Sequence, residues 1–273
     1  MREAIKLLGL LLAMTLARPM DSAAQAQAGP AGNAGAPAAP SPAATSPAAA
    51  SPSGSGGPAG LRPFDALYQV QWHGINVGTS GLELGPPGAD GQYRYVSRSN
   101  ARGIFHIVFS DEITQTSEFV LRDGHVQPLR FRGDDGSPST DQDVSLDFDW
   151  NAHRVHGVAE KKPVDLALKP DTQDPMSVQI ELMLALGRQQ VPASVWLADK
   201  DEIKEFVYTS EGTQRLKTVL GELDTLVLAS RRPGGNRITR MWFAPSLGYV
   251  PVQAQRTRDG KTEWTMVVKT LKR

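Results

Sequence analysis

The chain has no cysteine, which excludes disulfides, a thiolate nucleophile, Cys-ligated metal and a lipidated cysteine behind an export signal. Net charge is also missing, because 29 Lys and Arg balance 29 Asp and Glu. No overall field therefore draws in nucleic acid or an anionic surface, and any partner must be recognised locally. Apolar runs long enough to cross a bilayer are absent too: the longest near the start, Leu7 to Ala17, is too short and is followed at once by Arg18 and Asp21. Phosphate-cradling loops, a dinucleotide fingerprint and a zinc-protease helix are all lacking, so no cofactor is expected.

What is present begins with an export pattern. Residues 1–28 combine Arg2 and Lys6, the apolar run, and small residues Ala24, Ala26 and Ala28 at cleavage spacing, which together predict a signal peptide. Residues 29–60 are Ala, Pro, Gly or Ser except Asn33 and Thr45, a composition that predicts a disordered linker. Residues 61–273 are long enough for a single domain with a sizeable core. The expectation is a periplasmic, soluble protein with no stable membrane anchor after signal cleavage.

Strand follows strand in that domain. Leu67 to Trp72 and Ile75 to Leu84 flank His73-Gly74, and Gln92 to Ala101 follows a Gly/Pro-rich turn. Ile104 to Phe109 is short and apolar. Glu112 to Leu121 and Val126 to Arg132 flank Asp123-Gly124, a favoured two-residue hairpin turn. Val144 to Trp150 alternates most cleanly, with Val144, Leu146, Phe148 and Trp150 on the inward face. Arg154 to Glu160 and Val164 to Leu168 come next. The later strands are predicted at Ala193 to Ala198, Ile203 to Ser210, Arg215 to Leu220, Thr225 to Arg231, Ile238 to Ala244, Val250 to Arg258 and Thr262 to Leu271. Short turns between so many strands require antiparallel pairing, and a sheet of this size curves into an open or half barrel or splits into two layers.

One helix interrupts the strands. In Asp174 to Gly187, DPMSVQIELMLALG, Asp174 suits the cap, Pro175 the first turn, and Gly187 a left-handed closing residue. Ser177, Glu181 and Arg188 form its sole polar stripe, so it must be buried on most sides. The predicted fold is mainly β, a curved antiparallel sheet wrapped around one central α-helix.

Candidate chemistry is sparse. Asp134, Asp135, Asp141 and Asp143 offer oxygen ligands, but their spacing fits no calcium loop and suits a solvated hairpin tip, so no metal site is assigned. His153 and His156 would point to opposite faces of a strand. Gly78-Thr79-Ser80-Gly81 has neither the order nor the setting of a serine elbow. Arg231, Arg232, Arg237, Arg240, Arg256 and Arg258 crowd adjacent strands as a basic patch or a charge-balanced sheet face. Five tryptophans in predicted strands and methionines on the helix could line an apolar cavity. Met176, Ile180, Met183 and Trp242 are the candidate wall residues.

The opening YQVQWHGINVG, the DPMS helix start, and RMWFAPSLGYVPVQAQ before the last strand together resemble the domain-of-unknown-function 3108 family of exported bacterial proteins. Trp242 followed nine residues later by Pro251, and Asp174 with Ser177, are the most specific parts. The resemblance implies an exported, mostly antiparallel β domain and leaves activity open. At the level of fold there is also an analogy to the open barrels of periplasmic lipoprotein carriers, which use several helices where this chain has one. No catalytic residue is assigned. The expected function is a non-enzymatic binding module in cell-envelope upkeep, with a lipid-like small molecule or an envelope protein as partner. The alternatives are an envelope hydrolase using scattered Asp, Glu and His, and a structural interaction module.

Overall fold

The computed structural model describes residues 61–103 and 112–273. The expected signal peptide (1–28), linker (29–60) and apolar run Ile104 to Phe109 lie outside the described residues. Among the described residues, fourteen strands form one antiparallel sheet. The first eight are β1 (Phe64–Trp72), β2 (Ile75–Leu84), β3 (Tyr93–Ala101), β4 (Ile113–Arg122), β5 (His125–Asp134), β6 (Val144–Asp149), β7 (Arg154–Ala159) and β8 (Lys162–Ala167). A single α-helix among the described residues, α1 (Ser177–Gly187), precedes β9 (Ser194–Asp199), β10 (Glu202–Thr218), β11 (Gly221–Arg231), β12 (Arg237–Ala244), β13 (Val250–Arg258) and β14 (Lys261–Lys272).

Neighbours in sequence are neighbours in the sheet. Strands β1 to β8 run outward as one meander, β9 to β14 run back as a second, and β1 pairs with β14 to join the two. The fold is thus one sheet, and pairing does not close it: β8 and β9 are its edges. These edges are consecutive in sequence, and the segment between them carries the helix.

Local chemistry explains the tight connections. His73-Gly74, Asp123-Gly124 and Asp259-Gly260 have positive φ at both central residues, the conformation whose twist matches that of the flanking strands. One apparent turn proves to be something else. Ile203 to Ser210 and Arg215 to Leu220, predicted as two strands, are a single long β10 with a bulge between Ser210 and Thr213. Gly212 adopts φ 85 there, so the residues that look like a turn kink a continuous strand instead. Beyond the bulge, β9 covers β10 only to Val207 and β12 reaches β11 only from Leu226. The remainder projects as a two-stranded ribbon with Val219, 62% exposed, at its tip. Trp150 also differs from expectation, lying just past the end of β6 with its Nε1 donating to the Pro128 carbonyl at 2.6 Å.

The helix starts as its sequence demands. The Ser177 backbone N–H donates to Asp174 Oδ1 at 2.7 Å, and the Asp174 N–H donates to Ser177 Oγ at 2.8 Å. This reciprocal pair satisfies donors that the first turn leaves without intrahelical partners. The other end differs from prediction. Gly187 is the last helical residue, and Gln189 (φ 60) takes the left-handed conformation. There the Gln190 N–H donates to the Ala185 carbonyl at 2.9 Å. Met176, Ile180, Leu182 and Leu186 are fully buried; each such side chain contributes about 1.5–3 kcal/mol on leaving water. No helix among the described residues is long and apolar enough to cross a membrane.

Candidate functional site

The helix start is tied to strands from both halves of the sheet. Asp174, wholly buried, accepts from Ser117 Oγ on β4 at 2.5 Å as well as from Met176 N at 2.7 Å. Burial pushes its carboxyl up to about 6, against hydrogen bonds that favour the ionised form. Gln179 Nε2 donates to Tyr95 Oη on β3 at 2.7 Å. Burial, chiefly, also drives the Tyr95 phenol well above its ordinary value. Glu181 Oε2 accepts from the Val126 backbone N–H on β5 at 2.7 Å, while its Oε1 lies 2.9 Å from His125 Nδ1 and 3.3 Å from Arg188 Nη2. On the other side, Gln173 exchanges backbone hydrogen bonds with Trp196 and Ala198 of β9, both at 2.8 Å. Polar contacts therefore fix the helix start in position and orientation.

A cavity lies under that helix start. Pro175, Val178 and Gln179 supply its helical side, with Tyr68 and Leu82 from β1 and β2. The opposite wall is set by register in β12, β13 and β14. Met241, Ala254 and Met266 stand opposite one another in one row, so a small side chain sits between two long ones and leaves free space. Thr239, Arg256 and Trp264 form the next row. Pro251 and Gln253 complete the lining. The free volume is about 30 Å³, whereas a single water needs roughly 10–15 Å³ by the same measure. The space is narrow, apolar along most of its length, and charged at one place.

That charged place is Arg256. It is 4% exposed, its Nε donates to Thr239 Oγ1 at 3.1 Å, and its guanidinium carbon lies 5.4 Å from the centre of the Trp264 ring. Burial lowers it to about 10, an effect opposed by Glu263 and reinforced by Arg237. It therefore keeps its charge at neutral pH. Tyr68 Oη donates to the Pro251 carbonyl at 2.7 Å, and burial raises its phenol above the ordinary value.

The sequence-predicted wall residues are all buried, yet none lines this cavity. Met176, Ile180 and Met183 pack within the core, and Trp242 donates from Nε1 to Gln214 Oε1 on the ribbon at 2.7 Å. Sequence reasoning missed Ala254, held Trp264 only among the five strand tryptophans and Arg256 only in the basic patch, and did not bring the three together. A signal was available: Val250, Val252, Ala254 and Arg256 share one parity on β13, which puts a charge on an otherwise apolar inward face.

Other candidates remain scattered. Ligand oxygens of Asp134, Asp135 and Asp143 lie within 4.8 Å of one another, whereas Asp141 pairs with Lys161. Desolvation, and after it the neighbouring charge of Asp134, raises the Asp143 carboxyl. His153 and His156 are exposed, and Ser80 is buried in β2, accepting from Ser99 Oγ at 2.9 Å. Much of the basic patch is balanced: Arg240 pairs with Glu211 at 2.8 Å and Arg237 with Glu263 at 3.2 Å.

Residues 67–266 match the model of a family described as Protein of unknown function (DUF3108). The chain belongs to this family. No curated protein matches it. A solved structure similar to this DUF3108 domain is a β-barrel-like protein of the domain of unknown function DUF1849 from Brucella abortus. Its TM-score is 0.53 at 15% identity, over 78% of this chain and 98% of that one. Lower similarity extends to a candidate lipoprotein from Parabacteroides distasonis, with TM-score 0.34, 9% identity and coverage of 78% and 96%. A candidate exported protein with a YmcC-like fold from Bacteroides fragilis gives TM-score 0.34, 10% identity and coverage of 77% and 95%. The first likeness concerns fold: a barrel-like, mainly antiparallel β architecture is common to the two chains.

Proposed function

We propose that this DUF3108 protein is a periplasmic, non-enzymatic binding module whose sheet curls around α1 and receives an apolar or amphipathic ligand during envelope upkeep. The observation that carries this reading is the Met241–Ala254–Met266 row facing Pro175 and Val178 across free space. An ordinary core fills such a gap, because interiors pack as densely as organic crystals. At about 30 Å³ the cavity takes a terminal group and not a whole lipid, so a chain enters as the walls give way. Methionine supports that movement, since its unbranched side chain repacks at low cost. As the space lengthens along α1, Met176, Ile180 and Met183 become its border.

The test uses N-phenyl-1-naphthylamine, an uncharged fluorescent probe, with wild type and Ala254→Leu. Wild type should give saturable 1:1 fluorescence enhancement, and the leucine should abolish it by occupying the gap. Thermal unfolding of the variant should stay cooperative, with a stability change of about 1–3 kcal/mol at most. Absence of saturable binding to folded wild type would overturn the proposal.

A further inference from the structure

We propose that the ligand is specifically an anionic amphiphile whose head is seated between Arg256 and Trp264, an inference that rests on the binding reading above. The seat follows from register. Arg256 on β13 stands opposite Thr239 of β12 on one side and Trp264 of β14 on the other. Inward-facing residues on these strands therefore bring a guanidinium, a hydroxyl and an indole together. All three line the cavity.

Two independent features give the seat its sign. Trp264 is 2% exposed, and its Nε1–H has no acceptor. Such a buried donor is costly when left unmade, and an oxygen on a ligand would satisfy it. The indole can only donate, so the partner must accept. Arg256 contributes positive charge in a setting from which water is largely removed, where its attraction for an anion is much stronger than at the surface. Glu263 and Asp199 also act on the guanidinium electrostatically, and a ligand anion would share its five N–H donors with the groups already around it. A carboxylate or phosphate head accepts from both residues, whereas an alcohol gains the indole bond alone and a cationic head is repelled.

The walls beyond the seat specify the rest of the ligand. Met241, Ala254, Met266, Leu82 and Val178 offer no charge, so the portion behind the head is hydrocarbon. The recognised chemistry is one anionic head on one apolar chain.

Titration calorimetry with dodecanoate, dodecyl phosphate and 1-dodecanol, each below its aggregation concentration, tests the idea on the wild-type protein. At least one anion should bind about tenfold or more tightly than the alcohol, as expected for charge-assisted hydrogen bonds. The tighter anion identifies the head as carboxylate or phosphate. Arg256→Gln should erase the preference while leaving dodecanol affinity in place, and Trp264→Phe should weaken the preferred anion severalfold. Equal wild-type affinity for all three would refute the anion seat and leave the apolar-ligand reading standing. Binding of none by folded protein would remove both.

Discussion

Asp174 is a carboxyl asked to do a structural task in a place that penalises its charge. Its Oδ1 takes two backbone N–H groups of the first helical turn and its Oδ2 takes Ser117 Oγ from β4, so the same group caps the helix and docks it. Burial nevertheless lifts its pKa from 3.8 to about 6. Between those values the folded chain holds a proton that the unfolded chain releases, so the contribution of this group to stability is full below 3.8 and is lost as pH rises to about 6. The loss is on the order of 3 kcal/mol. Asp174→Asn keeps an oxygen for the two backbone donors and removes the titration; Asp174→Ala removes the cap as well. Melting temperatures from pH 3.5 to 7 should therefore show the gap between wild type and Asp174→Asn shift against wild type as pH rises, with Asp174→Ala lowest throughout. Parallel pH profiles for wild type and Asp174→Asn would mean that another group carries the acid response.

At the level of elements, α1 separates what its own sequence specifies from what its surroundings decide. The D-x-x-S start is local, and Asp174 and Ser177 bond as their spacing implies. The end is set by the chain leaving the helix toward β9, which places the positive φ at Gln189 rather than Gly187. Gly187 accordingly keeps helical backbone, and an added Cβ there would meet nothing within 4 Å. Gly187→Ala should stabilise the protein by about 0.5–1 kcal/mol in chemical denaturation, since alanine loses less backbone entropy in a helix. A left-handed residue at 187 would instead make alanine destabilising by about 1–2 kcal/mol. The same division governs how far the fold could be read from residues. Alternation in β6 and the Asp-Gly turns announce strands and hairpins directly, because both depend on neighbours in sequence. The β10 bulge imitates a turn, because Glu211-Gly212 has turn composition and only pairing with β11 keeps the strand continuous. The cavity was legible only as greasy content. Its position depends on Met241, Ala254 and Met266 coming into one row across three strands, and register is a tertiary fact.

Across the whole sheet, connectivity predicts where the molecule opens. Outside the projecting β10–β11 ribbon, every strand from β7 through β1 and β14 to β10 has a ladder partner on both sides, while β8 has one, and β9 has one plus the bridge at Gln173. The two edges are held near each other by side chains: Glu160 in the β7–β8 turn pairs with Lys200 in the β9–β10 turn, and Lys169 Nζ lies 5.7 Å from the centre of the Trp196 ring. These contacts are partly exposed, and such ion pairs contribute about 0–1 kcal/mol, far less than a row of ladder hydrogen bonds. Apart from the projecting ribbon, amide hydrogen exchange should accordingly be fastest in β8 and β9 and slowest in β1, β2 and β14, because local openings start where fewest bonds must break. Lys200→Glu sets two carboxylates against each other at the seam and should speed exchange in β8 and β9 by about two- to tenfold. Protection in β1 and β14 should be unchanged by it. Uniform acceleration across all strands would show instead that the sheet opens as one cooperative unit. The cavity wall in β12, β13 and β14 belongs to the protected part of the sheet, so the same substitution should leave the equilibrium affinity for N-phenyl-1-naphthylamine unaltered even as the seam loosens.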